Sequence, residues 1–379
     1  MRNASFFGVL FLFLTGCCMG GLSPKAVEDP YYELGRFMDS LAVAGSFSGS
    51  LVVGDLSGIQ YEKHAGLATR VWGIPVDQET RFDIASVNKS FVGGLMVLAE
   101  EQGKLNLQDR LVDWLSDFNY SGQFNDSISL HQLLTHTSGL PDYDGTSAAF
   151  RSDDFRSLKR QHFTTESYVD FISQLEPIGP VGAQFYYSNF AYHLASIVLE
   201  QAYKKPFNAI LQEQICQPLN LVNTFNATDN KNIYRKVAEG YNPTPVDENY
   251  TRNQFIDLTV GRRIFSTATD LFRWGQAMGN EALFSAKAKE KMHQNYVGRL
   301  NPQLSYGYGW VVYGKGEQFE MGNLEIDVPY LIHGGRTEGF KAMLVVIDGG
   351  QQIVSFLVNH GDQINEMELA NQVIQRINE

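Results

Sequence analysis

At 379 residues the chain carries about two and a half average domains' worth of sequence, enough for one large composite fold with a sizeable core. Apolar residues at 44%, charged residues at 19% and aromatics at 12% exclude intrinsic disorder, collagen-like repeats and a long coiled coil. With 42 acidic against 30 basic side chains the net charge is -12, a field that repels phosphate backbones and anionic headgroups, so nucleic acid is excluded as a partner.

The chain opens with Arg2 and an apolar run from Phe6 to Leu14. The run fits the h-region of an export signal and is too short to span a bilayer as a mature helix. The next residues, Leu14-Thr15-Gly16-Cys17, resemble a bacterial lipobox. The reading is a signal peptide over 1–16, lipidation of Cys17, and a tether over 17–30 that anchors the protein to a membrane on the extracytoplasmic side of a bacterial envelope. The alternative is an ordinary secretory signal in which Cys17 and Cys18 are incidental. Cys216 is the third and last cysteine, so no disulfide framework is expected. Sequons at Asn119, Asn125, Asn226 and Asn249 carry no information in a bacterial envelope protein.

Beyond the tether, Tyr31 to Val43 places Leu34, Phe37, Met38, Leu41 and Ala42 at helical spacing. Phe47 to Val53 and Ile59 to Glu62 read as a hairpin around Gly54 to Gly58. From Ala85 to Glu101 the apolar residues turn helical again, with Gly103 as a stop. The stretch 104–260 reads as mostly helix and loop. Strand character returns in Tyr306 to Tyr313, Pro329 to His333, Phe340 to Ile347 and Gln352 to Val358, with Gly349-Gly350 turning between the last two, and a helix closes the chain over Asn365 to Asn378.

Strands at both ends with helices between predict an α/β (α+β) fold. Its antiparallel sheet is built from the N- and C-terminal segments and flanked by helices. The expected division is one domain over 31–379, its α/β part at 31–103 and 261–379, with a helical insertion at 104–260.

The chain has no His-Glu-x-x-His, Gly-x-Ser-x-Gly, Gly-x-x-x-x-Gly-Lys or Cys-x-x-Cys, so zinc-protease, hydrolase-elbow, nucleotide and redox readings lose support. Among eight histidines only His131 and His136 are close, and five residues of helix point them apart. They read as structural residues. No metal and no organic cofactor is expected.

Ser86-Val87-Asn88-Lys89 stands at the start of a predicted helix. Residues three apart share a helix face, so the Lys89 amine can approach the Ser86 hydroxyl, and the helix N-terminus favours a developing anion. A serine alcohol needs such a base, and an ordinary lysine amine is protonated at neutral pH, so the site has to favour its neutral form. Taken alone, the pattern also suits an exposed helix start. Tyr187-Ser188-Asn189 precedes another helical run, where Ser188 or Asn189 can cap, Tyr187 can relay a proton and the Asn189 amide can bind a carbonyl. His333-Gly334-Gly335 ends an apolar strand, where glycines let a substrate backbone approach a sheet edge.

In this order the three motifs resemble the active-site set of the serine β-lactamase and penicillin-binding protein family. Arg81 to Ser86, Leu133 to Leu140, Ser266 to Leu271, Tyr306 to Trp310 and Gly339-Phe340 are similar to the branch holding class C β-lactamases, D-peptidases and esterases. The resemblance implies a β-lactamase/transpeptidase-like fold and a serine hydrolase. Ser86 would be acylated, Lys89 and Tyr187 would move protons, and Asn189 would position the substrate amide. His333, Gly334 and Gly335 would line an edge strand, and the backbone amides of Ser86 and Arg336 would form the oxyanion hole.

The implied substrates are D-amino-acid peptides or esters. A class C type β-lactamase and a non-catalytic envelope module that keeps the fold are the alternatives. His333 stands where relatives of the β-lactamase type carry Lys. At an ordinary histidine pKa it is only about a quarter protonated at pH 7, which weakens capture of a substrate carboxylate and tilts the reading toward peptidase or esterase chemistry. Arg336 nearby can compensate. Val181-Gly182 replaces a common Pro-Gly, and Gly261-Arg262-Arg263 replaces a Gly-rich stretch, adding positive charge expected to border the cleft.

Overall fold

The apolar runs at the two ends of the chain pair with one another. The computed structural model describes residues 29–142, 163–227, 232–243, 250–252, 263–337 and 339–378; Cys17, Cys18, Asn249 and Arg262 lie outside them. Helix α1, Tyr32–Val43, precedes strands β1 (Gly49–Asp55) and β2 (Gly58–Ala65). Two short pieces, β3 (Leu67–Thr69) and β4 (Ile74–Pro75), form a hairpin, and β5 (Phe82–Asp83) leads into a 3-10 turn, Ala85–Val87, and helix α2, Asn88–Glu101.

The middle of the chain holds the helices Leu130–Leu134, Thr165–Ser173 and Asn189–Tyr203, with shorter ones besides. It also holds β6 (Phe225–Ala227), β7 (Tyr241–Pro243) and β8 (Tyr250–Arg252). Then come β9 (Arg263–Ser266), the helix Ala268–Gly279, β10 (Val311–Tyr313), β11 (Tyr330–Thr337), β12 (Phe340–Ile347), β13 (Gln352–Val358) and the closing helix Glu366–Ile377.

The main sheet runs β10-β11-β12-β13-β1-β2, antiparallel throughout, and β1 closes against β13 from Gly49 opposite Val358 to Gly54 opposite Ile353. The central strands β1, β12 and β13 are buried on both faces, which is why they read as unbroken apolar runs rather than as alternating ones. The helix Ala268–Gly279 covers one face, with Gly275 close to Leu344, Val346 and Ile353. The closing helix packs on the opposite face, where Glu366 pairs with Lys341. A small sheet, β5-β9-β6, sits at the entrance to α2.

Two of the boundaries that differ from the sequence expectation border the cleft. The strand expected from Tyr306 begins at Val311, because Gly309 takes φ +80° and lies so close to α2 that a Cβ there would fall 2.2 Å from the Lys89 carbonyl oxygen; the Tyr306 to Trp310 segment is a packing piece for α2. The strand expected to stop at His333 continues through both glycines to Thr337.

Candidate active site

Ser86 is presented by a backbone strained just before it. Ala85, a non-glycine residue, takes φ +45°, a region that L-residues enter at a cost. Its amide donates to Asp83 Oδ1 (2.8 Å), and Asp83 Oδ2 faces Arg263 Nε at 2.5 Å. Both side chains are buried, and β5 is held to β9 through Asp83 opposite Phe265. Arg263 therefore does not add free charge to the cleft, as its sequence position suggested. Its charge is spent on Asp83, and the pair holds the turn that carries Ser86.

Lys89, one helical turn on, is 98% buried, with its Nζ 3.3 Å from Ser86 Oγ. The amine donates to Asn189 Oδ1 at 2.6 Å and lies over the ring of Tyr187, 4.7 Å from its centroid. Asn189 is fixed in turn: its backbone N–H and Nδ2 donate to the two oxygens of Asp142 at 2.7 and 3.0 Å. The carboxamide thus bridges Lys89 and Asp142. The sequence expectation gives it a substrate amide to position; in the fold it also connects Lys89 to a carboxylate. Ser188 caps the helix, accepting from the Ala191 amide at 3.2 Å, and its hydroxyl donates to the Pro141 carbonyl.

His136 follows the Leu130–Leu134 helix with φ +57°. The Ser188 amide donates to its Nδ1 (3.0 Å), and its ring stacks on Tyr187 with centroids 4.3 Å apart. Burial, then the neighbouring Lys89 and His333, hold the imidazole well below the ordinary histidine range. It is a neutral plate behind Tyr187. His131 instead meets the Tyr308 hydroxyl through Nδ1 at 2.8 Å. Among the described residues no cluster of His, Cys, Asp and Glu has the arrangement of a metal site.

His333 departs most from expectation. It is buried, and desolvation with the nearby Lys89 pushes it down to about 3, so it is neutral at pH 7 rather than a quarter charged. Its Nδ1 donates to the Gly334 carbonyl at 2.7 Å, which leaves Nε2 to accept from the Tyr306 hydroxyl at 3.1 Å. The next glycine is required by contact: a Cβ on Gly335 would lie 2.3 Å from the Ile84 carbonyl oxygen and 3.1 Å from the Ser86 amide nitrogen. Because β10 pairs β11 only up to Ile332, the outer edge of β11 from His333 onward has no partner strand among the described residues. Such an edge is suited to take an extended substrate.

Ser86, Tyr187, His333, Gly334, Gly335 and Arg336 all line one cavity of about 400 Å³, while Lys89 and Asn189 stand behind it. Sequence reasoning missed Asp83, Asp142 and the supporting role of His136. A charge within an otherwise apolar strand, as in Phe82-Asp83-Ile84 and Arg263-Ile264-Phe265, was the signal available for the first of these.

Comparison with known proteins agrees with this fold. The family model described as Beta-lactamase matches residues 39–379, and the chain belongs to this family of β-lactamase and penicillin-binding-protein-fold serine hydrolases. Penicillin-binding protein 4* of Bacillus subtilis (strain 168) is 24% identical over 341 residues, 86% of this chain and 71% of that protein. Among solved structures, the penicillin binding protein from Bacillus halodurans superposes with TM-score 0.72 at 23% identity, covering 89% of this chain and 99% of the other. A D-stereospecific amidohydrolase from Streptomyces sp. does so with TM-score 0.69 at 21% identity, covering 88% and 94%. At these identities the structural likeness establishes the shared fold.

Proposed function

We propose that the protein is an acyl-transfer hydrolase that forms an acyl-enzyme on Ser86 and acts on D-amino-acid peptides or esters. The observation that carries this reading is the buried Lys89 amine, 3.3 Å from the Ser86 hydroxyl at the edge of the cavity. In the forward step Ser86 Oγ passes its proton to Lys89, with Tyr187 as relay, as Oγ bonds to the substrate carbonyl carbon. The amides of Ser86 and Arg336 hold the oxyanion. Collapse breaks the bond to the leaving group, which takes the proton. Water then repeats the sequence on the acyl-enzyme and releases the acid.

A D-amino-acid substrate is in keeping with the likeness to the Streptomyces D-stereospecific amidohydrolase. Hydrolysis of β-lactams in the class C manner is the second reading. The neutral His333 weighs against it, because a fixed cation is missing where a lactam carboxylate would lie. A non-catalytic module gives no reason for the Lys89, Asn189 and Asp142 chain to converge on Ser86.

The test is intact-mass spectrometry of the protein after mixing with a fluorophosphonate, a penicillin and a p-nitrophenyl ester. An adduct mapped to Ser86 and abolished with turnover by Ser86→Ala is expected; full turnover by that variant removes Ser86 from the mechanism. We propose further that the protein is an envelope lipoprotein anchored through Cys17. Incorporation of a labelled fatty acid that is lost in Cys17→Ala is the expected result, and a secreted, unlabelled protein argues for the ordinary signal.

A further inference from the structure

The cavity beside Ser86 wraps around the free edge of β11, and its far wall belongs to no motif of the sequence. Residues 332, 334 and 336 of β11 face the side of the sheet that carries the closing helix, and Gly334 stands in register opposite Met343. Gly334 has no side chain, so the buried Met343 side chain lies directly beneath it at the floor of the cavity. Met343, Met367, Met321, Ile332 and Val311 make the wall apolar. Its one acid, Glu366, is neutralised by Lys341 at 2.8 Å. Arg336, exposed at the mouth, is the cation a substrate anion could meet there.

From this lining we infer that the cavity receives a neutral, apolar group of medium length attached to the scissile carbonyl, on its acyl or its leaving side. The preferred substrate is then an ester or amide carrying an uncharged aliphatic or aromatic group, in preference to a carboxylate-terminated D-peptide. Three methionines suit this task because their unbranched, polarisable side chains adapt to chains of differing shape. A carboxylate carried deep into the cavity would exchange water for apolar walls and a compensated ion pair, an unfavourable transfer. The inference rests on the acyl-enzyme reading and names its substrate class.

The experiment measures kcat/KM for p-nitrophenyl esters from acetate to octanoate, then for acetate esters of alcohols from ethanol to octanol, and for an octanoate-length ester ending in a carboxylate. On the side that enters the cavity, kcat/KM is expected to rise roughly 2- to 4-fold per added methylene, and the terminal carboxylate is expected to remove most of that gain. Met367→Trp narrows the cavity, and Gly334→Val fills its floor without backbone conflict, since a Cβ at 334 comes no closer than 3.6 Å to Met343 Cε and 4.0 Å to the Ala342 carbonyl oxygen. Each is expected to lower the ratio of long-chain to acetate hydrolysis at least tenfold. Rates independent of length on both sides, or ratios unchanged in both folded variants, overturn the inference while leaving the hydrolase reading intact. Absence of acetate turnover and of a Ser86 adduct sinks both together.

Discussion

The two walls of the cleft are built on opposite electrical principles. On the side of α2, buried polar groups are linked: Arg263 is paired with Asp83 behind Ser86, and the Lys89 amine is tied through Asn189 to Asp142. On the side of β11, the imidazole of His333 is kept neutral by burial beside Lys89 and meets the Tyr306 hydroxyl, while the cation of that strand, Arg336, lies exposed at the mouth. A site that must deprotonate a serine needs one adjustable base and no competing one. The first wall provides the base and fixes its geometry, and His333 in the second stays uncharged over the working pH range.

The strongest way to break the contrast is to remove the base. Lys89→Met keeps the stem of the side chain and deletes the amine, leaving Asn189 Oδ1 without its donor. Acylation of Ser86 is expected to slow by about 10³-fold or more, since nucleophile and base act as a unit. Single-turnover acylation by a p-nitrophenyl ester measures it, and a loss below tenfold would show that Tyr187 or another group is the base.

Breaking the pair behind the nucleophile acts first on stability. Arg263→Met leaves the Asp83 carboxylate buried without its counter-charge, and about 3–5 kcal/mol is expected to be lost in denaturant unfolding. Adding Asp83→Asn removes the stranded charge and keeps an oxygen for the Ala85 amide. The double variant should therefore recover much of the stability. If the single variant unfolds like the wild type, the ion pair is not what holds the Ala85 turn.

The parts of the molecule legible in sequence are those decided by local pattern. Strands β12 and β13 were expected at their observed residues because continuous apolar runs of strand length are bounded by turn glycines, and Asn365 announces the closing helix that it caps. Ser86 and Lys89 were legible because one turn of helix fixes their proximity. What sequence did not reveal depends on contacts between distant segments. Asp142 reaches Asn189, and Arg263 reaches Asp83, only once the fold is formed. The neutral state of His333 is a consequence of burial, which its Gly-rich surroundings in sequence do not disclose. The glycines of Tyr306 to Trp310 read as part of a strand in sequence, although Gly309 serves the close approach to α2 and Gly307 the approach to the Met292 carbonyl.

The neutral wall can be tested with acid. The unfolded chain binds a proton at the ordinary histidine pKa of 6.5, whereas folded His333 does so only near 3. Between these values the unfolded state carries more protons, so stability falls as pH falls, by up to about 1.4 kcal/mol per pH unit for this one residue. His293, pushed down to about 4 by its own burial, adds to the same trend. In His333→Gln the acid-side slope is expected to be shallower, and the stability gap to wild type should narrow as pH drops from 6.5 toward 4. Parallel curves would mean that His333 titrates in the folded protein as it does in the unfolded chain, and that burial does not keep it neutral in acid.

The smallest effect isolates the single hydrogen bond that keeps this wall in order. Because Nδ1 of His333 donates to the Gly334 carbonyl, Nε2 is an acceptor, and the buried Tyr306 hydroxyl is the donor that meets it. Tyr306→Phe preserves the ring and its packing but strands that nitrogen, at a cost of about 1–2 kcal/mol. The lost donor had stabilised the neutral imidazole, so His333 should also take up its proton at a higher pH than in the wild type, which shortens the window over which acid destabilises the fold. The two readouts separate explanations: a stability loss alone would reflect packing. A loss accompanied by a shortened acid window would show that the Tyr306 hydroxyl adds to burial and Lys89 in keeping His333 uncharged.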